Sequence, residues 1–136
     1  LLDFAGLSVP EEMQGRSFKN TFKKNSDTKR NAVYYHYYEY PIWHNVQPHY
    51  GVRTDKYKLI HFYYSMDEWE LYDMDADPHE MNNIYENADP VLISKLKFKL
   101  DSLKKYYGDT SSIKDMISMT DTVIQRVYNE PVKEIK

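Results

Sequence analysis

Trp43 and His44 sit on a segment bounded by Pro41 and Pro48, His49 follows directly, and Arg53 stands four residues further on. An indole face stacks on a sugar ring, while imidazole and guanidinium groups donate to hydroxyl or sulfate oxygens. Together these residues read as a sugar- or anion-binding rim. Ten of the 14 tyrosines lie between Tyr34 and Tyr72, and His36, His44, His49 and His61 share that window. Ligand chemistry is expected there.

Other constellations carry less. His36 and His61 fall inside aromatic runs, where a hydrogen-bonded core role accounts for them. No pair of these histidines has the H-x-x-x-H spacing of a helical zinc site. Asp73-x-Asp75-x-Asp77 opens like a calcium loop, but positions six and twelve hold Pro78 and Ile84 where Gly and Glu are needed. Helix capping explains the same residues better. The span from Asp67 to Asp89 holds nine acidic residues and no Lys or Arg, and reads as a solvated acidic edge. There is no G-x-S-x-G and no glycine-rich phosphate loop. The absence of cysteine removes disulfides, thiol catalysis and Cys-ligated zinc.

A chain of 136 residues suits one domain of ordinary size, and 41% hydrophobic with 29% charged residues is a globular balance. A net charge of −3 argues against a general nucleic-acid binder. The apolar runs are far too short to span a membrane, and no signal-peptide pattern opens the chain.

The elements that must position the rim follow from periodicity. Leu1–Leu7 reads as the last turns of a helix closed by Gly6, which suggests a piece cut from something longer. Residues 8–30 are a polar connector in which Phe18 and Phe22 anchor a short turn. Strands are expected at 32–38, 49–54, 57–64 and 68–73, joined by short connections that favour an antiparallel sheet. The first carries large rings on both faces, so it is expected inside a sheet covered on both sides. In the second, alternation puts His49, Gly51 and Arg53 on one face. Asp77-Pro78-x-Glu80 has the form of a capping box opening a short helix. Asp89-Pro90 starts a longer helix, ended by Gly108, with Ile93, Leu96, Leu100, Leu103 and Tyr107 as its apolar stripe. A further helix is expected within 111–130. The fold class is α+β, a four-stranded antiparallel sheet packed against a long amphipathic C-terminal helix.

Three strings in order, Tyr34-Tyr35-His36-Tyr37-Tyr38-Glu39-Tyr40-Pro41, His49-Tyr50-Gly51-Val52-Arg53-Thr54-Asp55-Lys56-Tyr57-Lys58-Leu59-Ile60, and Glu70-Leu71-Tyr72-Asp73 with Asp77-Pro78-x-Glu80-x-x-Asn83, resemble the C-terminal region of the type I sulfatases, bacterial sulfated-glycan enzymes in particular. Leu1–Leu7 and Met13-Gln14-Gly15-Arg16-Ser17 are similar to the closing segment of the large sulfatase α/β domain. The resemblance covers about residues 1–108.

It implies three parts: 1–26 as the tail of a catalytic α/β domain plus connector, 27–108 as the sulfatase C-terminal subdomain, and 109–136 as an extension. It also implies a formylglycine, made from Cys or Ser in Cys/Ser-x-Pro-x-Arg, and a calcium ion, both carried by the catalytic domain and neither by this chain. The nearest match here, Ser8-Val9-Pro10, continues into Glu11-Glu12 and lacks the Arg. The implied partners are that catalytic domain and a sulfated carbohydrate, with no nucleic acid and no membrane, and the parent is expected in the periplasm or at the cell surface. By position, the resemblance makes His49 the first substrate-contact candidate, then Trp43, His44 and Tyr40, with Arg53 on the face of His49 and His36 as a further candidate. The alternative from residues alone is a free-standing carbohydrate-binding or interaction module without catalysis.

Overall fold

The structure is a computed structural model that describes residues 1–22, 30–41 and 44–129. Trp43 therefore lies outside the described residues. Two compact units are present, Leu1–Asn31 and Ala32–Lys136.

In the first unit, Leu1–Gly6 forms a turn in which Ala5 donates to the Leu1 carbonyl and Leu7 to that of Leu2. Gly6 takes φ 72°, the left-handed conformation its lack of a Cβ makes cheap. Phe4, Phe18 and Phe22 form an aromatic triangle with centroids 5.6–6.1 Å apart, the last two flanking a 3-10 turn at Lys19–Phe22.

The second unit is a four-stranded antiparallel sheet backed by two helices. Strands β1 (Ala32–Tyr37), β2 (His49–Thr54), β3 (Tyr57–Phe62) and β4 (Glu68–Asp73) lie side by side in chain order. β1 is thus an edge strand, and the expectation that it lies inside a sheet covered on both sides is corrected. The register pairs Tyr34 with Val52, Val52 with Leu59, and Leu59 with Leu71. Those four residues lie on one face. Helix α1 (Pro90–Tyr106) covers it with Leu96 and Leu100, and α2 (Ile113–Asn129) adds Met116. Val52, Leu59, Leu71 and Leu100 are essentially sealed from solvent, so truncating Leu100 to Ala is worth about 2–5 kcal/mol.

Local signals set most boundaries. Asp89 N-caps α1, accepting from the Val91 amide at 2.8 Å, and Pro90 occupies the first turn. Past its C-terminus Gly108 adopts φ 74°. Ser112 and Asp115 form a reciprocal cap at the start of α2: each amide donates to the other's side chain.

The helix expected after Asp77 is absent. Asp77 does bind backbone, accepting from the Asn82 amide at 2.7 Å, but Glu80 is left-handed, with φ 56°. Its carboxylate pairs with Lys58 on β3. The tertiary ion pair folds the segment back against the sheet as a turn, and the next helical residues are a 3-10 turn at Tyr85–Asn87.

Candidate functional site

Strand alternation gives the sheet two chemically different faces. His36, Tyr50, His61 and Trp69 form one cross-strand row beneath the helices, and Tyr37, His49, Phe62 and Glu68 form the adjacent row on the opposite face. His36 and His49, one row apart, therefore point in opposite directions.

On the face away from the helices, His49 is held by its neighbours. Tyr37 stacks on its ring at 5.3 Å and 18°, Phe62 tilts against it at 5.0 Å, and Tyr35 meets it edge-on at 6.1 Å. Nδ1 lies 2.8 Å from the carbonyl oxygen of Gln47, which can only accept, so Nδ1 carries the proton. In the neutral ring Nε2 then presents a lone pair, with no partner among the described residues. The group can accept from a hydroxyl, and when protonated it can donate to an anionic oxygen.

Arg53 shares this face, as alternation predicts, but four residues from His49 along an extended strand is ~13 Å. Its guanidinium turns back onto the β2–β3 turn, donating to the carbonyls of Thr54 and Asp55. Tyr40 packs on Tyr64 at 5.6 Å, and Tyr64 donates to Asp121 of α2 at 2.7 Å. His44 is exposed. The structure thus joins His49 to Tyr37, Tyr35 and Phe62, and places Arg53 at the far end of the same face.

Sequence reasoning passed over three features of this face. Gly51 is one: a Cβ there would sit 2.4 Å from the Leu59 carbonyl and 2.6 Å from the Tyr35 hydroxyl. The ring of Tyr35 fills the space the missing side chain leaves. Tyr35 is another, its hydroxyl the buried side-chain oxygen without a hydrogen-bond partner among the described residues. Burial, with Glu80 and Glu70 nearby, raises its pKa. The third is a polar edge in which Lys58 pairs with Glu80, and Tyr72 donates to Glu70 at 3.0 Å. Burial beside Glu70 pushes the Tyr72 hydroxyl up to about 12. An isolated glycine in a strand pattern was the one available signal.

Beneath the helices His36 and His61 are each wired to a carboxylate, their side chains 3% exposed. His36 Nδ1 donates to Asp109 at 3.3 Å and its Nε2 accepts from Tyr63 at 3.0 Å. Tyr34 also donates to Asp109. His61 Nε2 donates to Asp67 at 2.7 Å, and Nδ1 accepts from Tyr50 at 2.8 Å. Burial holds both imidazoles below their ordinary pKa, partly opposed by the carboxylates. Trp69 stacks on His61 at 4.1 Å, and Lys97 of α1 lies over that indole at 4.0 Å. This face is a polar-aromatic core, and it is where His36 belongs.

Neither a formylglycine nor a calcium ion fits these residues. The sequence holds no cysteine and no Ser-x-Pro-x-Arg, and among the described residues no group of three His, Asp or Glu converges to hold a metal. Nor is any described helix long and apolar enough to cross a membrane.

What remains is an α+β domain with an aromatic-clamped histidine on the sheet face opposite the helices. Residues 1–106 match the family described as N-sulphoglucosamine sulphohydrolase, C-terminal, and the chain belongs to that family. Over 112 residues it is 51% identical to an N-acetylglucosamine-6-O-sulfatase of Bacteroides thetaiotaomicron, covering 79% of this chain and 20% of that protein. A human N-sulphoglucosamine sulphohydrolase is 38% identical over 60 residues, 44% of this chain and 12% of that protein. A solved structure in complex with its substrate D-glucosamine-2-N,6-O-disulfate superposes with a TM-score of 0.76 at 47% identity, over 82% of this chain and 24% of that one. The chain spans about a fifth of the length of the Bacteroides relative.

Proposed function

We propose that this chain is the substrate-facing C-terminal part of a sulfuric ester hydrolase acting on sulfated glucosamine-type glycans. The nucleophile and the calcium site would belong to a preceding α/β domain, and an exported parent, periplasmic or on the cell surface, is part of the same reading. The observation that carries it is His49: clamped between Tyr37 and Phe62, fixed by Gln47, and turning an unpartnered Nε2 outward from the face the helices leave open. A side chain locked in this way orients a sugar without the entropic cost of freezing a mobile ring. The names of the relatives, which act on 6-O- and N-sulfated glucosamine, support the substrate class.

In this reading His49 accepts from a sugar hydroxyl through Nε2. Tyr37 and Phe62 hold the ring, and His44, Tyr40 and Trp43 are proposed as further sugar contacts on the sequence resemblance. Arg53 supports the turn rather than the ligand. The test is His49→Ala in the full-length protein, assayed on glucosamine 6-sulfate and N-sulfoglucosamine. Loss of one oriented hydrogen bond should cost about tenfold in kcat/KM, measured well below the Tm of the variant so that the lost ring packing does not enter. Unchanged kinetics on both substrates removes His49 from the site. A wild-type full-length protein that releases sulfate from neither takes down the reading as a whole.

A further inference from the structure

On the helix side of the sheet, away from His49, a cavity of about 390 Å³ opens between the end of β1, the residue after β3 and helix α2. Met116, Met119 and Val123 of α2 and the ring of Tyr38 form its walls. Its most buried lining also includes Tyr63 and Thr120, 3% and 7% exposed. The volume is that of a small-molecule site, and the composition matches one: mostly apolar and polarisable, with a few fixed polar atoms.

Those polar atoms have a defined sense. Asp109 anchors the Nδ1 proton of His36, so Nε2 must accept, and the Tyr63 hydroxyl gives its proton to it at 3.0 Å. Thr120 donates to the Met116 carbonyl at 3.0 Å. Both hydroxyl protons are committed inward. The Thr120 hydroxyl also bonds the Tyr63 oxygen, so the two hydroxyls are left to act toward a ligand as acceptors, and no charged side chain lines the cavity. Ser111 and the exposed Tyr38 add adaptable hydroxyls at the margin. A sulfate or carboxylate would meet the Tyr63 and Thr120 oxygens acceptor against acceptor with no positive charge in the lining to offset its desolvation, and a cation would lose its hydration with no counter-charge to replace it.

We infer that this cavity binds a small uncharged molecule with an apolar, ring-sized body and a single O–H or N–H donor, a phenol being the simplest example. The donor seats against Tyr63 and Thr120, and the body lies among Met116, Met119 and Val123. This site is independent of the sulfated-glycan reading, and it prefers an uncharged ligand where that reading takes an anionic one.

The test is a titration of the full chain, with ¹³C-methyl methionine NMR as readout, against 4-methylphenol, 4-methylanisole and 4-methylphenyl sulfate. The phenol should produce saturable shifts at Met116 and Met119. The ether, which has the same body without the donor, should bind at least about fivefold more weakly, and the sulfate not at all. Met119→Trp fills the cavity from a side chain 60% exposed, so the fold is kept and the phenol shifts at Met116 should vanish. Tyr63→Phe, or Thr120→Val if the first fails to fold, should narrow the gap between phenol and ether. The inference is overturned by the absence of saturable shifts up to the solubility limit, by equal binding of ether or sulfate, or by phenol binding that survives Met119→Trp.

Discussion

Asp109, just beyond Gly108 in the α1–α2 connection, reaches the edge strand and lies 3.3 Å from Nδ1 of His36. The same carboxylate accepts from Tyr34, so one side chain ties the start of the α2 segment to two residues of β1. Edge strands are the exposed margin of any sheet, and here the margin is pinned by a loop rather than by another strand. Burial raises the Asp109 pKa, but the bonds from Tyr34 and His36 together with Lys104 outweigh it and hold the carboxyl below its usual range. Tyr107 stacks on Tyr34 at 6.4 Å and extends the same attachment.

Stability should fall as the solution is made mildly acidic. His36 and His61 are held neutral, with folded-state pKa values below the ordinary 6.5, so the unfolded chain binds more protons in that window. Their contribution is whole above about pH 6.5 and is lost as pH drops from there through the lowered folded values. Melting the chain between pH 8 and pH 5 should show a falling Tm, with a shallower fall in His61→Gln. A flat profile over that range would show that neither imidazole resists protonation.

Gly51 has no room for a methyl group. A Cβ would stand 2.4 Å from a backbone oxygen, which cannot swing aside as a side-chain tip could. Gly51→Ala is expected to cost about 1–3 kcal/mol and to disturb the ring of Tyr35. Urea denaturation gives the loss directly, and no change in midpoint would mean β2 and β3 separate more easily than their register implies.

Tyr35→Phe should have the opposite sign. It removes a buried hydroxyl that lacks a partner and keeps the ring that covers Gly51. The isolated chain should gain about 1 kcal/mol, seen as a higher Tm, because the desolvation of that oxygen is no longer carried. A lower Tm would show that the hydroxyl is bonded in solution.

Much of the scaffold was legible from short-range chemistry. Asp89-Pro90 and Gly108 bracket α1 because an N-cap, a fixed proline φ and a left-handed glycine act within a few residues. The strand expected at 68–73 is β4, in which Trp69 and Leu71 alternate with Glu68 and Glu70, again a short-range pattern. Asp77-Pro78-x-Glu80 misled, because Lys58, 22 residues earlier, draws Glu80 into an ion pair that a helix could not make.

The candidate site was legible in composition but not in arrangement. Its window of tyrosines and histidines was apparent, as was the shared face of His49 and Arg53, since period-2 alternation within one strand is local. The sequence alone thus determined the four strands, the two long helices and the residue types of the rim. Only the tertiary structure decided that His36 turns inward to Asp109 while His49 turns outward between Tyr37 and Phe62. The physical reason is register: one residue of slip in the β1–β2 pairing would exchange the faces, and the burial of Val52, Leu59 and Leu71 under the helices selects which register holds.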